Sequence, residues 1–220
     1  DKEMSEIFAS KTPEVEEREV LHANLSRELA GECMVLLEND GALPFAAKKV
    51  AIYGNGVRGT IKGGTGSGDV NTRNSVNIEQ GFVKEEAARK GVPEFSVMFD
   101  TPYKDPACEL ITAEDVKGSA TDTAVYVIAR NSGEGADRFD EAGDYQLYPE
   151  ELENIKTIAA GYKNTIVVLN IGGVMNLSEI KAVEGVNAIL LMTQLGNLGG
   201  DALLEFLTGK VNPSGKTTDT

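Results

Sequence analysis

Apolar, β-prone runs recur along the chain at residues 49–53, 94–99, 123–129, 165–170 and 187–192, each set apart from the next by helical or loop sequence. A strand that is apolar throughout has no face to give to water, so its sheet must be covered on both sides. Such strands alternating with helices define an α/β fold, here a three-layer α/β/α sandwich with a mostly parallel sheet of about five to six strands. The crossovers of that sheet are expected to be right-handed.

The helical segments carry their own punctuation. Residues 19–37 place Val20, Leu21, Leu25, Leu29, Met34 and Leu37 near helical spacing, and Asn39-Asp40-Gly41 reads as the stop. Asn77 is placed to cap a helix over 78–90, which Gly91 and Pro93 would end. A weaker helix is expected around 112–116. Pro149 opens another, with Glu150 and Glu151 at the positive end of its dipole and Gly161 at its close. Residues 200–207 form the last, before Gly209. Residues 1–20 read as a polar N-terminal arm and 21–220 as one domain.

In a parallel sheet, ligands bind at the carboxyl ends of the strands. The loops 54–77, 131–148, 172–176 and 194–200 are rich in glycine and polar residues, and each follows an expected strand. Topology therefore puts all four on one edge. The first two far exceed the ~2–6 residues of an ordinary βα connection.

Composition narrows the possible partners. A net charge of −14 over 220 residues argues against nucleic acid and against an anionic membrane surface. It is compatible with a neutral substrate such as a sugar. No apolar run approaches the ~18 residues of a membrane span, and no signal peptide is visible, so a cytoplasmic location is expected. The chain opens on Asp1, which suggests a fragment or a processed start. Cys33 and Cys108 lack any CxxC spacing and read as buried free thiols. The lone His22 cannot build a His-based metal site, so neither metal nor other cofactor is expected.

Gly54-Asn55-Gly56-Val57-Arg58-Gly59 fits the dinucleotide pattern G-x-G-x-x-G, but that reading needs a helix beginning at Gly56. The sequence instead continues through Gly63, Gly64, Gly66 and Gly68, leaving no helix dipole to hold a pyrophosphate. A Walker loop fails as well, because Asp69 stands where lysine is required. The segment reads better as a loop whose glycines let backbone approach a ligand, with Thr65, Ser67 and Asp69 supplying polar contacts.

No Ser/His/Asp set is available for nucleophilic hydrolysis. Carboxylate chemistry remains, and residues 131–138 carry it: Asn-Ser-Gly-Glu-Gly-Ala-Asp-Arg. Glu134 lies between two glycines, with Asp137 and Arg138 within a turn's reach. A general acid at neutral pH needs a raised pKa, obtained by burial or by a second carboxylate nearby. Asp137, Glu141 and Asp144 follow closely, so the residues alone leave the choice within this loop open.

Five segments together resemble glycoside hydrolase family 3. They are residues 24–44, ending Met34-Val35-Leu36-Leu37-Glu38-Asn39-Asp40-Gly41-Ala42-Leu43-Pro44; the glycine-rich 63–68; Gly133-Glu134-Gly135-Ala136-Asp137-Arg138; residues 195–200; and Asn212-Pro213-Ser214-Gly215-Lys216. Their order and spacing are those of the family's α/β-sandwich domain, usually called C-terminal, and the match covers nearly all of the chain beyond the first ~20 residues. Two positions depart from the pattern. Gly196-Asn197-Leu198-Gly199-Gly200 stands where the family often has Gly-Gln-Glu-Gly-Gly, and Thr217 stands where an apolar residue is usual.

The resemblance implies a retaining β-glucosidase-like enzyme acting on β-linked oligosaccharides or aryl β-glycosides. The nucleophilic Asp would sit on a separate (β/α)8 barrel absent from this chain, so the chain by itself would be inactive. Glu134 would be the acid/base, and Thr65, Ser67, Asp69, Asp137 and Arg138 would contact substrate. The charged opening followed by the sandwich is similar to members in which the sandwich precedes the barrel. Without a barrel to desolvate it, Glu134 is expected to be exposed, with a pKa near the ordinary ~4.3. The competing function is a non-catalytic carbohydrate-binding or interaction module. The absence of Trp and only 6% aromatic residues argue against it, since sugar platforms favour exposed rings; Tyr103, Tyr145 and Tyr148 are the candidates.

Overall fold

The computed structural model describes residues 13–45, 49–88, 94–97, 109–133 and 138–218. Its strands are β1 (Val35–Asn39), β2 (Lys49–Tyr53), β3 (Glu94–Val97), β4 (Thr123–Arg130), β5 (Asn164–Ile171) and β6 (Val186–Leu191). They form one sheet in the order β1-β6-β5-β4-β2-β3. All neighbours run parallel except β1, which pairs antiparallel to β6.

The alternation of side chains along each strand divides the core in two. Val50, Ile52, Val125, Val127, Ile166, Val168, Ala188 and Leu190 face one side. There they meet Ala30 of α1 (Glu17–Cys33), Ile78 and Phe82 of α2 (Ile78–Ala88), and the apolar face of α6 (Gly199–Leu207). Tyr53, Tyr126, Ile128, Val167, Leu169 and Ile189 face the other side. They pack under α3 (Ala113–Gly118), α4 (Pro149–Gly161) and α5 (Ser178–Lys181), through Val116, Ile155, Ile158 and Ile180. These are the three layers expected from the sequence. Each fully buried aliphatic side chain of β4 and β5 contributes about 1.5–3 kcal/mol of transfer free energy.

Local signals explain the helix ends. Asn77 Oδ1 accepts from the Gln80 amide at 2.7 Å, and Gln80 Oε1 accepts from the Asn77 amide at 3.0 Å, a reciprocal cap for α2. Thr112 and Asp115 cap α3 in the same way. On the α4 side, the hydroxyls of Tyr53, Tyr162 and Ser119 form a buried chain with spacings of 2.5 and 2.8 Å. Burial, with the hydrogen bond to Tyr162, pushes the Tyr53 hydroxyl pKa up.

The structure corrects the reading of the N-terminal third. The helix expected over 19–37 starts earlier, at Glu17, and ends at Cys33; Met34 turns to extended geometry and β1 follows. Val35-Leu36-Leu37 has apolar residues in succession, which suits a strand pairing with β6 better than one helix face. The apolar residues of α1 also do not point inward. Val20, Leu21, Leu25 and Leu29 are exposed, and the contact with the core is made by Ala30, Gly31 and Met34. Gly31 is seated against the Val211 side chain, and Arg27 pairs with Glu205 of α6. Cys33, expected to be buried, is exposed, because Ala30 and Met34 take the inward positions at this end of the helix. Cys108 lies outside the described residues. Among the described residues, no helix is long and apolar enough to cross a membrane.

Candidate functional site

The strands β2, β4, β5 and β6 are mutually parallel, so the loops that leave their carboxyl ends share one edge of the sheet. Contacts between these loops show that they converge. A Cβ placed on Gly133 would fall 1.7 Å from Thr65 Oγ1, and one on Gly64 would fall 3.7 Å from the Ser132 carbonyl. One on Gly172 would fall 2.7 Å from Gln194 Nε2.

The glycine-rich loop after β2 is anchored to the sheet by two asparagine side chains that act as pieces of strand. Asn55 accepts from the Ala129 amide at 2.9 Å and donates to the Ala129 carbonyl at 3.3 Å. Asn170, wholly buried near the end of β5, accepts from the Ile61 amide at 2.6 Å and donates to the Ile61 carbonyl at 3.0 Å. The leading glycines serve packing. Gly54 has φ +101°, and a Cβ there would lie 2.2 Å from the Val127 carbonyl. The G-x-G-x-x-G pattern therefore records how closely the chain passes β4. No helix begins at Gly56, and the next α-helix starts at Ile78. At the tip of the loop, Thr65 precedes a 3-10 turn, Gly66–Gly68, that contains Ser67. Thr65, Ser67 and Asp69 are all exposed. Asp69 lies 3.6 Å from Lys62 Nζ, which also donates to the Val70 carbonyl at 2.7 Å.

The loop after β4 is held at both stems. Ser132 Oγ donates to the Gly172 carbonyl at 3.1 Å. Arg138 donates to that same carbonyl, to Asp144 Oδ1 at 2.7 Å and, weakly, to the Asn131 carbonyl at 3.4 Å. Its side chain is only 9% exposed. Arg138, expected to contact substrate, is held by these partners within the chain, and among the described residues its Nε is buried with no hydrogen-bond partner. Burial raises the Asp144 pKa, but the Phe139 amide, the Arg138 hydrogen bond and the charges of Arg138 and Arg130 together outweigh it. The net result is a carboxyl below the usual aspartate range. Glu134 and Asp137 lie outside the described residues, and so does the expected exposure of Glu134.

Beneath these stems is a buried ion pair that sequence reasoning missed. Arg130 and Glu151 are 4% and 1% exposed and bonded to each other. Tyr148 covers the guanidinium at 5.4 Å, and its amide donates to Glu151 at 3.0 Å. The available signal was an arginine closing an eight-residue strand that is buried along its whole length. Asn170 was missed too, although it is the polar member of the inward series Ile166, Val168, Asn170. Among the described residues, no group of His, Cys, Asp and Glu is arranged to hold a metal ion.

These features define an α/β/α domain that presents a loop-built, polar and glycine-lined edge. The chain belongs to the glycosyl hydrolase family 3 C-terminal domain family, whose model matches residues 34–220. It is 34% identical to β-glucosidase A of Butyrivibrio fibrisolvens, the match covering 90% of this chain and 28% of that protein. It is 29% identical to a β-glucosidase of Ruminococcus albus, over 88% of this chain and 22% of that one. Among solved structures, β-glucosidase 3B of Thermotoga neapolitana in complex with glycerol superposes with a TM-score of 0.78 at 34% identity, covering 94% of this chain and 31% of that one. A β-glucosidase of Paenibacillus barengoltzii gives 0.77 at 29% identity, covering 90% of this chain and 24% of that one. The chain thus spans less than a third of the length of these relatives.

Proposed function

We propose that this chain is one domain of a retaining β-glucosidase-like enzyme and that it supplies the acid/base carboxylate, Glu134. The observation that carries the reading is the contact of Gly133, the residue before Glu134, with Thr65 of the glycine-rich loop. A proton donor and a polar wall then belong to one cleft. The relatives named above are β-glucosidases, and the chain covers so little of them that a companion domain, a (β/α)8 barrel, has ample length in which to exist.

Retention requires two carboxyl groups about 5 Å apart across the scissile bond. In the proposed division of labour the barrel contributes an aspartate that attacks the anomeric carbon. Glu134 protonates the departing oxygen as the glycosidic bond breaks, then takes a proton from the water that releases the glycosyl-enzyme. Thr65, Ser67 and Asp69 line the leaving-group side, and Asp137 contributes to substrate contact. The substrate class is a β-linked oligosaccharide or an aryl β-glycoside.

The test uses the full-length protein and Glu134→Ala, assayed on aryl β-glucosides of graded leaving-group ability. Poor leaving groups need protonation and activated ones do not. The variant should lose about 10²–10⁴-fold on the former and far less on the latter. Equal losses across the series would remove Glu134 from the acid role.

A further inference from the structure

The carboxyl end of β5 is the point from which three loops hang. Asn170 uses its whole amide for this purpose: Oδ1 takes the Ile61 amide at 2.6 Å, while Nδ2 donates to the Ile61 carbonyl at 3.0 Å and to the Thr193 carbonyl at 2.7 Å. Two residues on, the Gly172 carbonyl receives Ser132 and Arg138 from the loop that carries Glu134. The side chain of β5 therefore fixes the glycine-rich loop and the loop after β6, whereas its backbone fixes the loop after β4.

A second observation points the same way. Thr193 has φ +63°, a conformation that β-branched residues rarely adopt. Backbone strain of this kind persists where surrounding contacts over-determine it, and it clusters at functional sites. Here the strained residue turns its carbonyl to Asn170. The flanking chain is stitched to the glycine-rich loop by the Gly196 amide on the Lys62 carbonyl at 2.8 Å and the Val76 amide on the Asn197 carbonyl at 2.7 Å. Only an amide side chain offers two N–H groups and an acceptor from one flat, uncharged head. A strand whose other buried members on this face are Ile166 and Val168 has no packing reason for a buried asparagine.

We infer that Asn170 is a positioning residue that sets the width of the cleft on its leaving-group side by locking Ile61 and Thr193 together. The inference rests on the glycosidase reading above. Proton donation should be independent of this lock, because Ser132 and Arg138 grip the Gly172 backbone and not the Asn170 side chain.

The experiment compares Asn170→Asp and Thr193→Pro with wild type in the full-length protein. Aspartate keeps the shape and the acceptor but loses both donated bonds; proline keeps a carbonyl but cannot adopt the φ of +63° that turns it to Asn170. For β-glucosides with bulky aglycones, KM should rise about tenfold in Asn170→Asp and about threefold in Thr193→Pro, with kcat within about twofold. The ratio of rates on poor and activated leaving groups should stay at the wild-type value, unlike that of Glu134→Ala. An unchanged KM, or a loss in kcat alone, would overturn the assignment. Thr193→Pro decides the matter by itself if Asn170→Asp does not accumulate as folded protein. If wild type hydrolyses no β-glycoside, the glycosidase reading fails on its own account. Hydrogen exchange of the peptide containing Ile61 then judges the lock: faster exchange in Asn170→Asp supports it, and equal exchange ends it.

Discussion

Gly133 and Thr65 meet so closely that a single added methyl on the first would overlap the hydroxyl of the second, at 1.7 Å. Thr65 is β-branched, so rotating its side chain only replaces the hydroxyl with a methyl. Thr65 is also exposed, and its loop can move aside. Gly133→Ala should therefore shift the loop without unfolding the domain. Stability is expected to change by less than about 1 kcal/mol. Activity of the full-length protein should fall about a hundredfold, the usual effect of a misplacement near 1 Å. Thr65→Gly in the same chain should restore much of it. Melting temperatures and kcat/KM for the two single variants and the double variant check this.

The Arg138 clamp gives a second expectation. Removing a buried, charge-assisted donor leaves the Gly172 carbonyl and Asp144 short of a partner, so Arg138→Ala should cost about 2–3 kcal/mol. Arg138→Lys should not repair it, since one ammonium cannot reach the three acceptors of a planar fork. Urea unfolding of the three proteins measures the difference. Comparable stability of Arg138→Ala and wild type would contradict the clamp.

The same clamp has a pH dependence of defined sign. The Asp144 pKa is lowered in the folded state, so its contribution is complete above the unfolded value of about 3.9 and is lost as pH falls below it. Asp144→Asn should be less stable than wild type at pH 7, and the gap should close between about pH 4 and the lower folded-state pKa. A gap that widened on acidification would contradict the assignment.

Glu151→Gln tests the buried pair. It would leave Arg130 charged and uncompensated under Tyr148, at a cost of about 3–5 kcal/mol. Replacing both partners, as Arg130→Met with Glu151→Leu, should recover most of that loss, because neither charge then has to be desolvated. Chemical denaturation of the single and double variants distinguishes the two outcomes.

The sheet and most helix ends could be read directly because they depend on local chemistry. Pro149 and Gly161 bound α4 as expected, and Asn77 caps α2. The convergence of the loops followed from parallel topology alone. What stayed hidden depends on distant partners. β1 continued an apolar pattern that looked helical until β6 was available to pair with it. The leucines of α1 have helical spacing yet face outward, since periodicity identifies an apolar stripe but not what covers it. Asn55 and Asn170 looked like ordinary turn and strand-end residues, because an amide that imitates backbone is recognisable only beside the backbone it pairs with. The burial of Arg138 could not be seen locally either, because its partners Asp144 and the Gly172 carbonyl come from elsewhere in the chain.

The pairing of β1 with β6 also bears on how the chain reaches this state. Residues 17–39 leave the ribosome well before β6, yet β1 touches the sheet only through β6, and the Met34 carbonyl waits for the Gly215 amide at 3.1 Å. Until β6 is made, the growing chain exposes two unsatisfied ladders, that of β1 and the outer side of β5. Open ladders recruit strands from other chains. β6 slots between them and closes both at once, so the hazard of misassembly falls in the interval between synthesis of β5 and synthesis of α6.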